Sequence, residues 1–302
     1  MESNKMQNTI ITVTAADGLV RMTACESTKA CEDARRIHRT SAVATAALGR
    51  TLTAAALMSG QLKNETDSIT LHVSGRGPLG SILCVSDVHA NVKGYVNNPS
   101  LELPVRETDG KLDVGGAVGK GFLRVIKDLS MKEPYVGTSV LVSGEIADDL
   151  SYYFATSEQV PSSVALGVRV RPDESGKEPF LVDKAGGFIL QLMPGADEEL
   201  IGTLETRMSS MPSVTTLLAA GATITNVAED VLNGFSPEIK ETRSFEYRCG
   251  CSREKMLGAL AAMGRKDLQE IFDDGKGAEL CCHFCNSKYN FSSEEIGKLL
   301  GV

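Results

Sequence analysis

A chain of 302 residues with 42% hydrophobic and 23% charged residues has the composition of an ordinary globular protein, long enough for one large core and a satellite. Its formal net charge of -8 disfavours nucleic acid or an anionic membrane surface as the main partner. No run reaches the roughly 18 apolar residues of a membrane span, and "MESNKMQNTIITVTAADG" has no apolar block of signal-peptide length, so a cytosolic address is expected.

In chain order, "NTIITVTA" and "LVRMTAC" alternate apolar and polar residues around an "ADG" turn, which predicts a β-hairpin. The Ala- and Leu-rich, proline-free stretch 41–62, "SAVATAALGRTLTAAALMSGQL", predicts a helix with Thr40 or Ser41 as N-cap, packed closely on a sheet. Gly75, Gly77 and Gly80 then spell G-x-G-x-x-G. A dinucleotide loop must open a helix, whereas "SILCVSDVHANVKGYV" is β-rich and Pro78 sits in the turn, so a tight turn is expected. "GGAVGKG" at 115–121 also misses a Walker loop: three residues rather than four separate Gly115 from Gly119, and Gly121 follows Lys120. It reads as a glycine-rich lead into the strand "FLRVIKDL".

"TSVLVSGEIADDLSYYFATS" predicts a strand and the start of a helix, and "SVALGVRVRP" and "GGFILQLMPG" complete the β-rich set. Many strands joined by short turns, with few helices between them, predict an α+β core of mostly antiparallel sheet with packed helices over 1–195. Beyond Pro194, "ADEELIGTLETR", "PSVTTLLAAG" and "TNVAEDVLNGF" predict short helices punctuated by Gly221, Gly234 and Pro237. Each is marginal alone and must borrow stability from a neighbour, so 196–245 is expected to be a helical linker.

Five of the eight cysteines fall in the last part, 246–302. In a reducing cytosol, close-spaced thiols are read as metal ligands or redox groups before structural disulfides. Cys249 and Cys251 form C-x-C, Cys282 and Cys285 form C-x-x-C, and the intervening stretch can hold a helix such as "SREKMLGALAAMG". Four thiolates in two close pairs suit a tetrahedral zinc ion. Cys281 and His283 read as neighbours of the site, and Tyr289 and Phe291 as a small apolar foot beneath it. Arg248, Arg253 and Lys255 would either steady the thiolates or be solvated surface charge. A segment this small buries little surface, and structural zinc supplies about 10 to 16 kcal/mol of apparent binding free energy that becomes folding free energy. The same thiolates are open to peroxide or hypochlorous acid, which destroys the donor set.

The C-x-C and C-x-x-C spacing with "CHFCNSKYNF" resembles the redox-switch domain of the 33 kDa heat-shock chaperone family. "SAVATAALGRTL", "GRGPLG", "VKGYVNNP", "VGKGFLRVIKDL", "EPYVGTSVLVSGEIADDLSYYFATSEQVPS", "ALGVRV" and "GGFILQLMPGA" resemble its core, so the likeness covers most of the chain. The resemblance implies that Cys249, Cys251, Cys282 and Cys285 bind one zinc ion when reduced and form the disulfides Cys249–Cys251 and Cys282–Cys285 when oxidised. It further implies an ATP-independent holdase for unfolding client proteins under oxidative and heat stress. Oxidation would release zinc, unfold the C-terminal region 246–302 and loosen the linker. Homodimerisation on activation and transfer of clients to the ATP-driven seventy-kilodalton chaperone system also follow from the likeness. Cys25, Cys31, Cys84 and Cys281 match no motif position.

Two other classes compete. A zinc-ribbon nucleic-acid binder would need a basic stripe, yet 246–302 carries eight Lys/Arg against nine Asp/Glu. A thiol–disulfide oxidoreductase would place its C-x-x-C between a strand and a helix and would leave Cys249 and Cys251 unexplained. His38, His72, His89 and His283 are the only histidines and none sits in a recognisable catalytic context, so no enzymatic turnover is expected.

Overall fold

The computed structural model describes residues 8–301; the expectation that 1–18 hold no signal-peptide block falls partly on 1–7, outside the described residues. The chain divides into two compact units, Met1–Arg248 and Cys249–Val302.

In the first unit, strands β1 (Asn8–Ala15) and β2 (Val20–Glu26) form the hairpin, with Asp17 of its turn at φ 53°. Helix α1 (Thr28–His38) follows, and α2 (Ala42–Met58) starts where the Ala44 amide donates to Ser41 Oγ at 3.3 Å. Then come β3 (Ser68–Gly75), β4 (Ser81–Asp87), β5 (Val92–Val96), the short α3 (Val114–Val118), β6 (Gly121–Asp128), β7 (Tyr135–Val140) and α4 (Ala147–Tyr153). Two long strands, β8 (Ser162–Pro172) and β9 (Phe180–Leu192), precede α5 (Glu198–Ser210), α6 (Val214–Ala219) and α7 (Ile224–Val231). The stretch expected to be a helical linker ends in a further strand, β10 (Glu238–Phe245).

The strands make two five-stranded antiparallel sheets, ordered β10-β1-β2-β9-β8 and β5-β4-β3-β6-β7. The architecture is α+β. Between the sheets runs α2, whose residues 42–61 are long and apolar enough to cross a membrane, yet 89% of the most apolar window is buried in the fold. It is the central core helix: Leu48, Leu52 and Leu57 pack with Ile69, Leu71 and Ile82 of the second sheet and with Ile10 and Ile189 of the first. The alanines allow this by keeping the helix thin on all sides.

The central strands of the first sheet, β1, β2 and β9, are packed on both faces. Because side chains alternate along a strand, Ile10 and Ile189 face α2 whereas Ile11, Val13, Met22, Phe188 and Leu190 point the other way. That second face is covered by Leu200 and Leu204 of α5, Leu218 of α6, and Val227 and Val231 of α7. Each such side chain is worth roughly 1.5 to 3 kcal/mol when buried rather than exposed, so packing holds helices too short to persist alone. Local devices assist. The Leu200 amide donates to Asp197 at 2.9 Å, and Thr223 and Asn226 make a reciprocal capping box. The Arg207 guanidinium donates to the Val231 and Asn233 carbonyls, both at 2.7 Å, clasping α5 to the end of α7.

Asp149 holds the entry to α4. Its buried carboxylate accepts the amides of Val142, Ser143 and Gly144 on one oxygen, at 2.7, 3.0 and 3.2 Å, and that of Ile146 on the other at 3.0 Å. Ile146 sits at φ 72°, a left-handed conformation costly for a β-branched residue. The four bonds to Asp149 stabilise that turn.

The second unit contains α8 (Arg253–Ala261), α9 (Arg265–Asp274), the two-stranded β11 (Ala278–Cys281) and β12 (Lys288–Phe291), and α10 (Ser293–Leu300). Its core is small: Leu260, Leu268, Phe291, Ile296 and Leu300 are its buried hydrophobic cluster.

Candidate metal and redox site

The site lies in the second unit and is built from two loops. Strands β11 and β12 pair antiparallel from Ala278↔Phe291 to Cys281↔Lys288, and the turn beyond carries the C-x-x-C. There the Cys282 amide donates to the Ser287 carbonyl at 2.9 Å, and the Cys282 carbonyl accepts from the Cys285 and Asn286 amides at 3.3 and 2.8 Å. Asn286 turns the chain at φ 57°, where Asn is tolerated better than most residues. The C-x-C loop lies just before α8, whose N-cap Ser252 accepts the Lys255 amide at 3.3 Å. Lys255 Nζ returns to the Gly250 carbonyl at 2.7 Å, and Arg253 stacks 4.5 Å over the Phe291 ring while donating to the Asn290 carbonyl at 2.9 Å. Arg253 thus fastens the start of α8 to the hairpin through a carbonyl and a ring, and to the Glu295 carboxylate of α10, whereas Lys255 closes the first loop on itself.

All four sulfurs, of Cys249, Cys251, Cys282 and Cys285, lie within 4.8 Å of one another. Cys251 and Cys285 are 3.3 Å apart, and Cys249 and Cys282 are 3.7 Å apart. A tetrahedron with metal–sulfur bonds of about 2.3 Å has edges of about 3.8 Å, so the donor set fits a soft tetrahedral ion. Two hydroxyls touch the cluster: Tyr289 Oη is 3.0 Å from Cys251 Sγ, and Ser287 Oγ is 3.2 Å from Cys285 Sγ.

The thiols of Cys249, Cys282 and Cys285 differ in their ease of ionisation. Burial, together with the neighbouring thiols, pushes Cys249 up to about 12, and burial raises Cys282 as well. Burial also opposes ionisation of Cys285, but the Ser287 hydroxyl and amide together with the Cys251 and Cys282 thiols outweigh it and bring that thiol down to about 7. Close sulfurs resist ionising together unless a cation offsets their charge.

Cys281 ends β11 exposed and His283 is exposed in the turn; the four-sulfur group includes neither. Cys25, Cys31 and Cys84 are buried in the first unit's core, where burial raises all three thiols, Cys31 to about 12. They are inert hydrophobes in this state. The C-x-x-C sits at the tip of a hairpin rather than between a strand and a helix, unlike a thioredoxin-type motif. The hydrogen bond of Tyr289 to sulfur was not legible in the sequence, where the residue reads as apolar foot. Its position four residues after Cys285 in an alternating strand is the only hint.

The family model described as Hsp33 protein matches residues 8–292. The 33 kDa chaperonin of Ruminiclostridium cellulolyticum is 52% identical over 295 residues, covering 98% of each chain. That of Clostridium perfringens is 47% identical over 98% of this chain and 91% of its own. The crystal structure of the 33 kDa chaperonin of Thermotoga maritima matches with a TM-score of 0.88 at 38% identity, over 98% of each chain. With its two antiparallel sheets, its C-terminal four-sulfur cluster and these relatives, the chain belongs to the Hsp33 family of chaperones.

Proposed function

We propose that this chaperone is a redox-regulated, ATP-independent holdase that binds unfolding proteins under oxidative and heat stress. Cys249, Cys251, Cys282 and Cys285 hold one zinc ion in the reduced form and form the disulfides Cys249–Cys251 and Cys282–Cys285 on oxidation. The convergence of four sulfurs from two loops onto one point is the observation that carries this reading. When bound, zinc supplies the cross-link and much of the folding free energy of a unit whose own core is only a handful of side chains.

The roles follow the chain: 1–195 is the core chaperone domain, 196–245 the linker and 246–302 the switch. Oxidised sulfurs no longer hold the two loops together, and the switch unfolds. Its first residue, Glu246, follows directly on β10, the last element of the linker. Loosening of α5, α6 and α7 would then bare the apolar face of the first sheet, with Ile11, Val13, Met22, Phe188 and Leu190, to unfolding clients. A bared face of that kind also favours homodimerisation, and reduction would let clients pass to the ATP-driven seventy-kilodalton chaperone system. The proposed site of action is the cytoplasm.

The test is suppression of aggregation of a thermally unfolding client, before and after peroxide at mild heat, with zinc release followed by a chromophoric chelator. Suppression is expected only after oxidation, together with zinc release. Equal activity in both states, or zinc kept through oxidation, contradicts the switch.

A further inference from the structure

Strand β12 presents Tyr289 and Phe291 on one face, since residues two apart on a strand point the same way. Phe291 is buried in the second unit's core, whereas Tyr289 packs at its edge and carries a hydroxyl. That hydroxyl ends 3.0 Å from Cys251 Sγ, 38 residues away in sequence. It joins the C-x-C loop to the strand that follows the C-x-x-C turn. Three backbone amides, of Cys251, Phe284 and Ser287, serve Cys249, Cys282 and Cys285. At Cys251 the hydroxyl partner belongs to a side chain, which substitution can remove.

We propose that the Tyr289 hydroxyl is a positioning residue that restrains oxidation of Cys251 by donating a hydrogen bond to its sulfur, and so sets how much oxidant the switch needs. The inference rests on reading the four-thiol cluster as the redox switch. A donor to a thiolate withdraws electron density, and nucleophilicity falls with basicity. Hydrogen peroxide is the oxidant considered. The Cys251 thiolate attacks one peroxide oxygen, an S–O bond forms, the O–O bond breaks and hydroxide leaves; the sulfur loses two electrons and the peroxide gains them. The Cys249 thiolate then attacks the sulfenic sulfur, the S–S bond forms, the S–O bond breaks and a second hydroxide leaves. Solvent protonates both hydroxides to water. The first step is the one that the phenol slows.

Tyr289→Phe keeps the ring and its packing and removes the donor, so the full chain, reduced and zinc-loaded, is the material to test. Three readouts are compared with the wild type: zinc transfer to a chelator without oxidant, thiol loss and zinc release after peroxide, and the sulfur-to-metal charge-transfer band after cobalt(II) replaces zinc. Tyr289→Phe is expected to leave the first within about twofold and to speed peroxide-driven release by roughly three- to tenfold. The cobalt band is expected to move to longer wavelength as the sulfur becomes more electron-rich. Unchanged peroxide rates, an unmoved band, or equal acceleration with and without oxidant overturns the proposal; the last outcome would mean that the phenol only braces the fold. Wild-type protein that keeps its zinc under peroxide overturns the switch reading itself, and this inference with it.

Discussion

Cys282→Ser is expected to leave residues 249–302 without a stable fold, while the strands of the first unit keep their protection. Cys282 is the most buried of the four thiols, 5% exposed. Its amide and carbonyl also shape the hairpin turn. Among the described residues, the unit around it has a core cluster of five buried hydrophobic side chains, one two-stranded sheet and three short helices. Two strands alone are marginal in water, and domains this small commonly need a metal or disulfide to fold. If metal binding supplies about 10 to 16 kcal/mol to such a segment, a serine in place of one sulfur removes more than the remaining core contributes. Hydrogen exchange followed by mass spectrometry checks this. Peptides spanning 253–300 should exchange freely in Cys282→Ser and remain protected in the zinc-loaded wild type. Equal protection in both would show that the apolar cluster suffices without the sulfurs.

Asp149→Ala should be strongly destabilising, costing roughly 4 kcal/mol or more. The carboxylate is buried and accepts four amides from a turn that contains Ile146 at φ 72°. A hydrogen bond to a charged group is worth about 1.5 to 3 kcal/mol, and orphaned buried amides add their own desolvation cost. Two features limit the sum: three of the bonds share one oxygen, and the emptied space can admit water. Asp149→Asn should cost less, about 2 kcal/mol, because its oxygen can still serve three amides while its NH2 group opposes the Ile146 amide. Urea unfolding of the first unit measures both. A loss below about 1 kcal/mol for Asp149→Ala would mean that the turn is set by packing of Leu150 and Tyr153 rather than by the carboxylate.

The cysteine pairs and the α2 helix were legible because their signals are local. Two-residue and three-residue spacings carry the thiols, and a capped, proline-free alanine-rich run carries the helix. The antiparallel architecture could be read from alternation and turn residues. What was hidden depends on contacts distant in sequence. Strand β10, "EIKETRSF", is half charged and mostly exposed, and becomes a strand because its backbone pairs with β1, Phe245 opposite Asn8. No apolar stripe announces it, so the stretch to 245 reads as helical linker. Helix α1 was equally silent: its inward face includes Glu32 and Arg35, which are tolerated there because Glu32 accepts from Arg35 at 2.9 Å, from Arg36 at 2.7 Å and from the Val182 amide at 3.0 Å. Asp149 looks in sequence like one acid of an acidic helix start. Only the fold shows four amides turned toward it. The same holds for Tyr289, whose hydroxyl meets a sulfur from the opposite end of the unit.

The four sulfurs are proposed to govern the cover over the first sheet's apolar face. The most direct measurement is hydrogen exchange on the full chain, reduced and zinc-loaded against peroxide-treated at mild heat. Protection is expected to vanish in 253–300 and to fall strongly in α5, α6 and α7, while β2 and β9 stay protected. If the three helices keep their protection after the sulfurs are oxidised and zinc is gone, the switch does not reach the surface it is proposed to uncover.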